Sequence, residues 1–209
     1  ILNKMRKIIY LILLSLLLNN KLPNDVRWVR NSSEYKAICN QVYSQAIDKL
    51  EKKLRHNNFS LNINNYSNYA VIMDLDETVL DNSDYQVELI SKNESFNMDS
   101  WASWVEKEEA KLVPGAIEYI NFLRGNNIQI IFISNRMDAR LESTKNNMRK
   151  LDIYSDNDIY LLRKDKADKK TVRREEIFTS TGRMKEFNKF TVIQYLGDAM
   201  GDFNSRKYH

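Results

Sequence analysis

Hydrophobic and polar positions follow two different rhythms along this chain. Between residues 33 and 54, Tyr35, Ile38, Cys39, Val42, Ala46, Leu50 and Leu54 recur at helical spacing. Asn31 or Ser32 stands where a cap is needed. A long amphipathic helix is therefore predicted from about residue 33 to residue 56. Elsewhere the apolar residues gather in short runs, at 70–73, 128–133, 159–162 and 190–196. Runs of this length, bounded by polar residues, read as buried strands.

Helical patterns separate the strands. Val113-Pro114-Gly115 opens one, with Pro near the first turn. Ile117, Tyr119, Ile120 and Leu123 form its apolar face, and Gly125 ends it. A second covers about 138–150. A third follows a basic segment, 163–174, and ends near Thr179. Alternating strands and helices predict an α/β fold, with a parallel sheet flanked by helices. Residues 21–30 read as an irregular linker and 57–68 as an Asn-rich loop. Residues 81–112 show no strand alternation but hold Tyr85, Phe96, Trp101 and Trp104. They read as a small helical insertion over the end of the first strand.

Composition narrows this picture. The chain has 209 residues, 43% hydrophobic and 29% charged, which suits one globular domain with an insertion. Five Gly and two Pro are too few for a sandwich of many short strands. The single cysteine, Cys39, excludes an internal disulfide and a multi-cysteine zinc site. It falls on the apolar stripe and reads as a small buried hydrophobe. Lys4, Arg6 and Lys7 supply most of the net charge of +4. The basic balance thus belongs to the amino terminus and argues for no nucleic-acid polymer as partner. A cationic start followed by an apolar run at 8–18 matches a secretory signal and is short for a spanning helix. Residues 1–20 are expected to direct export to the periplasm, the cell surface or the medium. No Ala-x-Ala site and no lipid-accepting cysteine follow, so cleavage or retention as an anchor through residues 5–18 stays open.

The candidate chemistry lies where the strands end. The first run stops at Asp74 and Asp76, the second at Ser134, and the fourth at Gly197-Asp198, with Asp202 four residues on. Lys169 and Lys170 follow the third. A parallel sheet brings all these ends to one edge, where such folds bind ligands. Acids that converge away from water need a cation or a proton. Carboxylates, a hydroxyl and a lysine together suit a hard cation and a phosphate.

Asp74-Leu-Asp-Glu-Thr-Val-Leu-Asp-Asn82, Ser134-Asn-Arg136, a downstream Lys and Gly197-Asp-x-x-x-Asp-Phe203 resemble the four motifs of the haloacid dehalogenase superfamily. More narrowly, the chain resembles the class C acid phosphatases and lipoprotein nucleotidases, over about residues 26–204. Trp28 to Ala46, Trp101-Ala-Ser-Trp104-Val and Val113-Pro-Gly-Ala116 fit that family as well. The resemblance implies a Rossmann-like domain at 26–209, with a cap at about 81–112. It implies a Mg²⁺-dependent acid phosphatase acting on small phosphomonoesters, nucleoside monophosphates among them. Asp74 would be the nucleophile and Asp76 the general acid and base. Asp74, Asp76 (through its backbone carbonyl) and Asp198 would hold Mg²⁺. Ser134, Asn135 and Lys170 would bind phosphate, with Lys169 the alternative lysine. Asp202 would support the metal site, and Trp101 would stack on the leaving group. A homodimer is compatible with this reading.

Two departures from the family pattern stand out. Gly197-Asp198-Ala199-Met200 replaces the usual Gly-Asp-Asn-Leu, removing an Asn side chain near the metal. The sequence stops at His209, so the fourth strand is expected to be an unpaired edge. A shortened, non-catalytic binding protein on the same scaffold, or a phosphotransferase of the superfamily, are the rival expectations.

Overall fold

A computed structural model describes residues 22–56 and 68–203. The expected export signal at 1–20 and most of the Asn-rich loop lie outside the described residues. No described helix is long and apolar enough to cross a membrane.

The chain opens with α1 (Asn24–Asn31), preceded by Pro23 and with Asp25 in its first turn. The stretch expected to be an irregular linker is therefore mostly helical. Eight residues with only Val26 buried carry too short a stripe to be recognised by period. Ser32 ends this helix in extended backbone and caps the next, its Oγ accepting from the Tyr35 N–H at 3.0 Å. Helix α2 (Ser33–His56) follows at the predicted bounds. Its buried face is Tyr43, Ala46, Leu50 and Leu54. Ile38 and Val42, expected on that face, are 48% and 53% exposed, and Cys39 is only half-buried. The first half of α2 flanks an apolar groove beside the last strand rather than the closed core.

Strand β1 (Tyr69–Met73) leads to a neck and the insertion. β2 (Leu80–Asp81) is followed by α3 (Ser83–Lys92), α4 (Met98–Lys107) and β3 (Lys111–Leu112). β2 and β3 pair antiparallel, Leu80 with Leu112 and Asp81 with Lys111. Two-residue strands have no period to read, so the neck was invisible in the sequence. Asn97 caps α4, its side chain accepting from the N–H groups of Asp99 and Ser100. Tyr85, Phe96, Trp101 and Trp104 form one aromatic cluster, with Tyr85–Trp101 centroids 5.2 Å apart.

The rest alternates as predicted: α5 (Ala116–Gly125), β4 (Gln129–Met137), α6 (Leu141–Lys150) after a single 3-10 turn, β5 (Ile159–Arg163), α7 (Lys170–Thr179) and β6 (Thr191–Leu196). Gly115 enters α5 at φ +86°, where a Cβ would also crowd Tyr43, so glycine is required twice over.

The main sheet is parallel, in the order β5-β4-β1-β6. Val71, Met73, Ile130, Phe132 and Leu162 face the helices α2, α5 and α6. Ala70, Ile72, Ile131, Ile133 and Leu161 face the other way, against Ile177 of α7, Met184 and Phe190. Both faces are covered, which is why the strands read as apolar runs rather than alternating ones. β6 lies at an edge of the described sheet, as expected, with Lys53 Nζ donating to the Ile193 carbonyl at 3.1 Å. The chain runs from β1 to β4 and β5, then returns to the other side of β1 as β6. The reversal opens a crevice beyond the carboxyl ends of β1 and β6.

Leu50 is 1% exposed and ties α2 into the main core. Leu50→Ala is expected to lower stability by about 2–5 kcal/mol, read as a lower denaturation midpoint with an unchanged slope.

Candidate active site

The site is built from backbone turns at strand ends. Asp74 directly follows β1, and its N–H donates to the Leu196 carbonyl of β6 at 3.0 Å. Its carboxyl is buried at the floor of an open cleft. Asp76, Asn135, Lys170, Asp198 and Asp202 share the lining of that cleft, so these expected residues do converge.

Lys170, the first residue of α7, reaches back across the cleft. Its Nζ lies 2.8 Å from Asp74 Oδ1 and contacts Asp202 Oδ1. Lys169 instead precedes α7 and is exposed. The geometry therefore distinguishes two lysines that the sequence left as alternatives. Asp202 lies in a 3-10 turn, Met200–Asp202, and its Oδ2 accepts from the Ala199 N–H at 3.0 Å. Gly197 makes this turn possible, because a Cβ there would collide with the Asp202 side chain.

Oxygens of Asp74, Asp198 and Asp202 lie within 4.8 Å of one another. Asp74 Oδ1 is buried and faces the Lys170 ammonium. Burial pushes the Asp74 carboxyl up to about 7, with Asp202 and Asp76 adding to the rise and Lys170 opposing it. Asp198 is also raised, by loss of solvent and by Asp202. Three carboxylates facing one ammonium fit a hard divalent cation.

Asp76 points away from this cluster. Its Oδ2 accepts from Ser134 Oγ at 3.2 Å, and its Oδ1 meets Arg136 and Asn82. Ser134 is fully buried, and its Oγ also accepts from the Arg136 N–H at 3.1 Å. Asn135 is exposed, its Oδ1 accepting from Arg173 at 2.9 Å. Trp101 does not line the cleft; it packs on Tyr85 and Phe96, with the Arg136 guanidinium 5.8 Å from its ring.

Sequence reasoning gave no role to Arg136, Asn82 or Arg173. Arg136 and Arg173 are among the largest fully buried side chains. Arg173 donates to the carbonyls of Ser134, Leu161 and Asp168, tying the ends of β4 and β5 to α7. Burial lowers its guanidinium to about 10. A cation just beyond an apolar run, as Arg136 lies beyond 128–133, was the available signal.

Such a parallel sheet, with acids and a lysine at its reversal point, is the framework of an α/β enzyme that handles phosphoryl groups. The particular family follows from comparison. The sequence model of the acid phosphatases, HAD superfamily subfamily IIIB, matches residues 14–209, and the chain belongs to this family. It is a phosphoric monoester hydrolase. Two structures of the class C acid phosphatase from Bacillus anthracis, one with tungstate bound, are similar to it. Their TM-scores are 0.72 and 0.71, at 26% identity, over 86% of this chain and 69% of theirs.

The raised Asp74 sets a pH signature for the metal-free protein. Its pKa rises on folding from 3.8 to about 7, so the native state binds the extra proton between those values. Stability from this group therefore falls as pH rises from about 4 through about 7. Thermal melts in chelator should drop over that window, and Asp74→Asn should flatten the drop. Added divalent cation should restore the wild type most at the high-pH end.

Proposed function

We propose that this chain is a Mg²⁺-dependent acid phosphatase that hydrolyses phosphomonoesters through an aspartyl-phosphate at Asp74. The observation that carries this reading is the buried Asp74 carboxyl, its Oδ1 facing Lys170, with two further carboxylates beside it. The tungstate in the Bacillus anthracis relative supports it, since tungstate is a tetrahedral oxyanion like phosphate.

The residues divide the work as follows. An oxygen of Asp74 attacks phosphorus, the bond to the ester oxygen breaks, and that oxygen leaves with the bonding pair. Asp76 gives it a proton. A water then attacks the aspartyl-phosphate, passing its proton to Asp76, and the acyl-phosphate bond breaks to restore Asp74. Splitting one displacement into two lowers each barrier. Lys170 holds phosphoryl oxygens as a point charge, and Asn135 at the cleft wall offers a further contact. Asp74 and Asp198, with the backbone carbonyl of Asp76, would hold Mg²⁺; the ion would neutralise charge shared by nucleophile and phosphate. Asp202 sits close enough to join them, but its carboxylate also anchors Lys170 and the Ala199 N–H. Its part in this scheme is to support both.

Small phosphomonoesters are the substrate class, and the family resemblance favours nucleoside monophosphates among them. The cationic and apolar residues at 4–18 favour work outside the cytoplasm. Asp74→Asn should bring turnover of an aryl phosphate to background, and chelation of divalent metal should do the same reversibly. Asp76→Asn should lower kcat by about 10²–10⁴-fold. Full activity of Asp74→Asn would exclude the covalent route. Phosphate transfer to an added alcohol in place of water would recast the enzyme as a phosphotransferase. A nucleotide panel run beside a simple alkyl phosphate tests the substrate preference.

A further inference from the structure

Asp76 is held by a buried frame that reaches into the insertion. Its Oδ1 accepts from Asn82 Nδ2 at 3.0 Å and Arg136 Nε at 2.9 Å, with Arg136 Nη2 at 2.8 Å. Among the described residues, its Oδ2 meets only the Ser134 hydroxyl. Asn82 and Arg136 are each 1% exposed. Asn82 is itself fixed on both sides. Its Nδ2 also donates to Glu77 Oε1 and the Leu80 carbonyl. Its Oδ1 accepts from Trp104 Nε1 at 2.9 Å and Arg136 Nη2 at 3.3 Å. Arg136 Nη1 reaches Thr144 Oγ1 on α6 at 3.3 Å.

We infer that Asn82 and Arg136 are positioning residues for Asp76, and that Trp104 makes this positioning depend on helix α4 of the insertion. The inference rests on the proposed role of Asp76 as general acid. A guanidinium and an amide NH₂ offer only hydrogens. The Asp76 oxygen they surround cannot hand over a proton, so Oδ2 is the oxygen that does. A proton donor must also keep its oxygen within hydrogen-bond reach of the leaving group. Donors from two separate elements on Oδ1 and Oδ2 fix the carboxyl plane: the neck gives Asn82, while the end of β4 gives Ser134 and Arg136. Trp104 is 3% exposed and lies on α4. Its N–H orients the Asn82 amide so that the NH₂ side faces Asp76. Without that donor the amide gains freedom to turn its oxygen toward the carboxylate, which would repel it. The insertion is thus linked to the chemistry by one indole hydrogen bond, and not only by covering the cleft.

The test uses dependence on the leaving group. A misplaced general acid slows expulsion of a poor leaving group and scarcely affects a good one. kcat/KM for an alkyl phosphate and for a nitrophenyl phosphate would be measured on the full chain with Mg²⁺. The variants are Asn82→Ala, Arg136→Lys, Trp104→Phe and, for reference, Asp76→Asn. Trp104→Phe removes the N–H and keeps an aromatic ring, so it remains informative should Asn82→Ala fail to fold. The ratio of the two kcat/KM values should shift against the alkyl ester by about 10-fold or more in Asn82→Ala and Arg136→Lys. Trp104→Phe should shift it the same way, by about 3-fold or more. Equal losses on both esters, or no loss, would overturn the inference while Asp76→Asn still shows the shift. No shift in Asp76→Asn itself would overturn the general-acid role and the positioning inference with it, leaving Asp74→Asn to report separately on the phosphatase reading.

Discussion

Asp74 ends a strand with no exposed face, between two other strands of the same sheet. Water cannot reach its carboxyl freely, and burial alone drives it toward the protonated form. Asp202 and Asp76 lie close enough to make that worse. Everything at this edge of the sheet answers that repulsion. Lys170 reaches from the start of α7, and the 3-10 turn folds Asp202 back onto Gly197. A site that is destabilised when empty gains most from a cation and an anionic ligand. The same arrangement that makes the acids costly makes them reactive.

Arginines carry the mechanical side of this arrangement. Arg173 spans backbone carbonyls of Ser134 in β4, Leu161 in β5 and Asp168 in the loop before α7, and so holds α7 in place, and with it Lys170. Arg174, next to it, donates to the Gly201 carbonyl at 2.8 Å and so steadies the turn that carries Asp202. Arg183 pairs with Asp168 and Glu176 beneath α7. Arg136 does for Asp76 what Lys170 does for Asp74. The two acids thus have separate counter-cations, on separate elements. Their settings differ: Asp74 faces the cleft beside two further carboxylates, while Asp76 is held in a fixed plane. A guanidinium suits the second job because its donors lie in one rigid fork.

Much of this was legible in the residues themselves. The four strands and the longer helices could be read because both periods are local, and because a covered sheet leaves its strands as bare apolar runs. The acids and the lysine were visible because polar residues at the end of such a run have little other reason to be there. The misreadings have physical causes too. Helix α1 and the β2–β3 neck are too short to show a period. Ile38 and Val42 fit the helical stripe, but what lies beside them is an open groove along β6 and not the closed core.

The sequence by itself determined the α/β class, the order of its elements and which residues would meet at one edge of the sheet. That follows because strand ends in a parallel sheet must converge, whatever the packing between them. The tertiary structure alone decided how the meeting is arranged. It set Lys170 rather than Lys169 against Asp74, turned Asp76 away from the carboxylate cluster, and buried Arg136, Asn82 and Trp104 as one hydrogen-bonded frame. Those choices depend on the direction of side chains across distances in sequence that run from 22 residues, between Trp104 and Asn82, to the longer span between Asp74 and Lys170. No local pattern records such directions, because they are fixed only when separate elements pack.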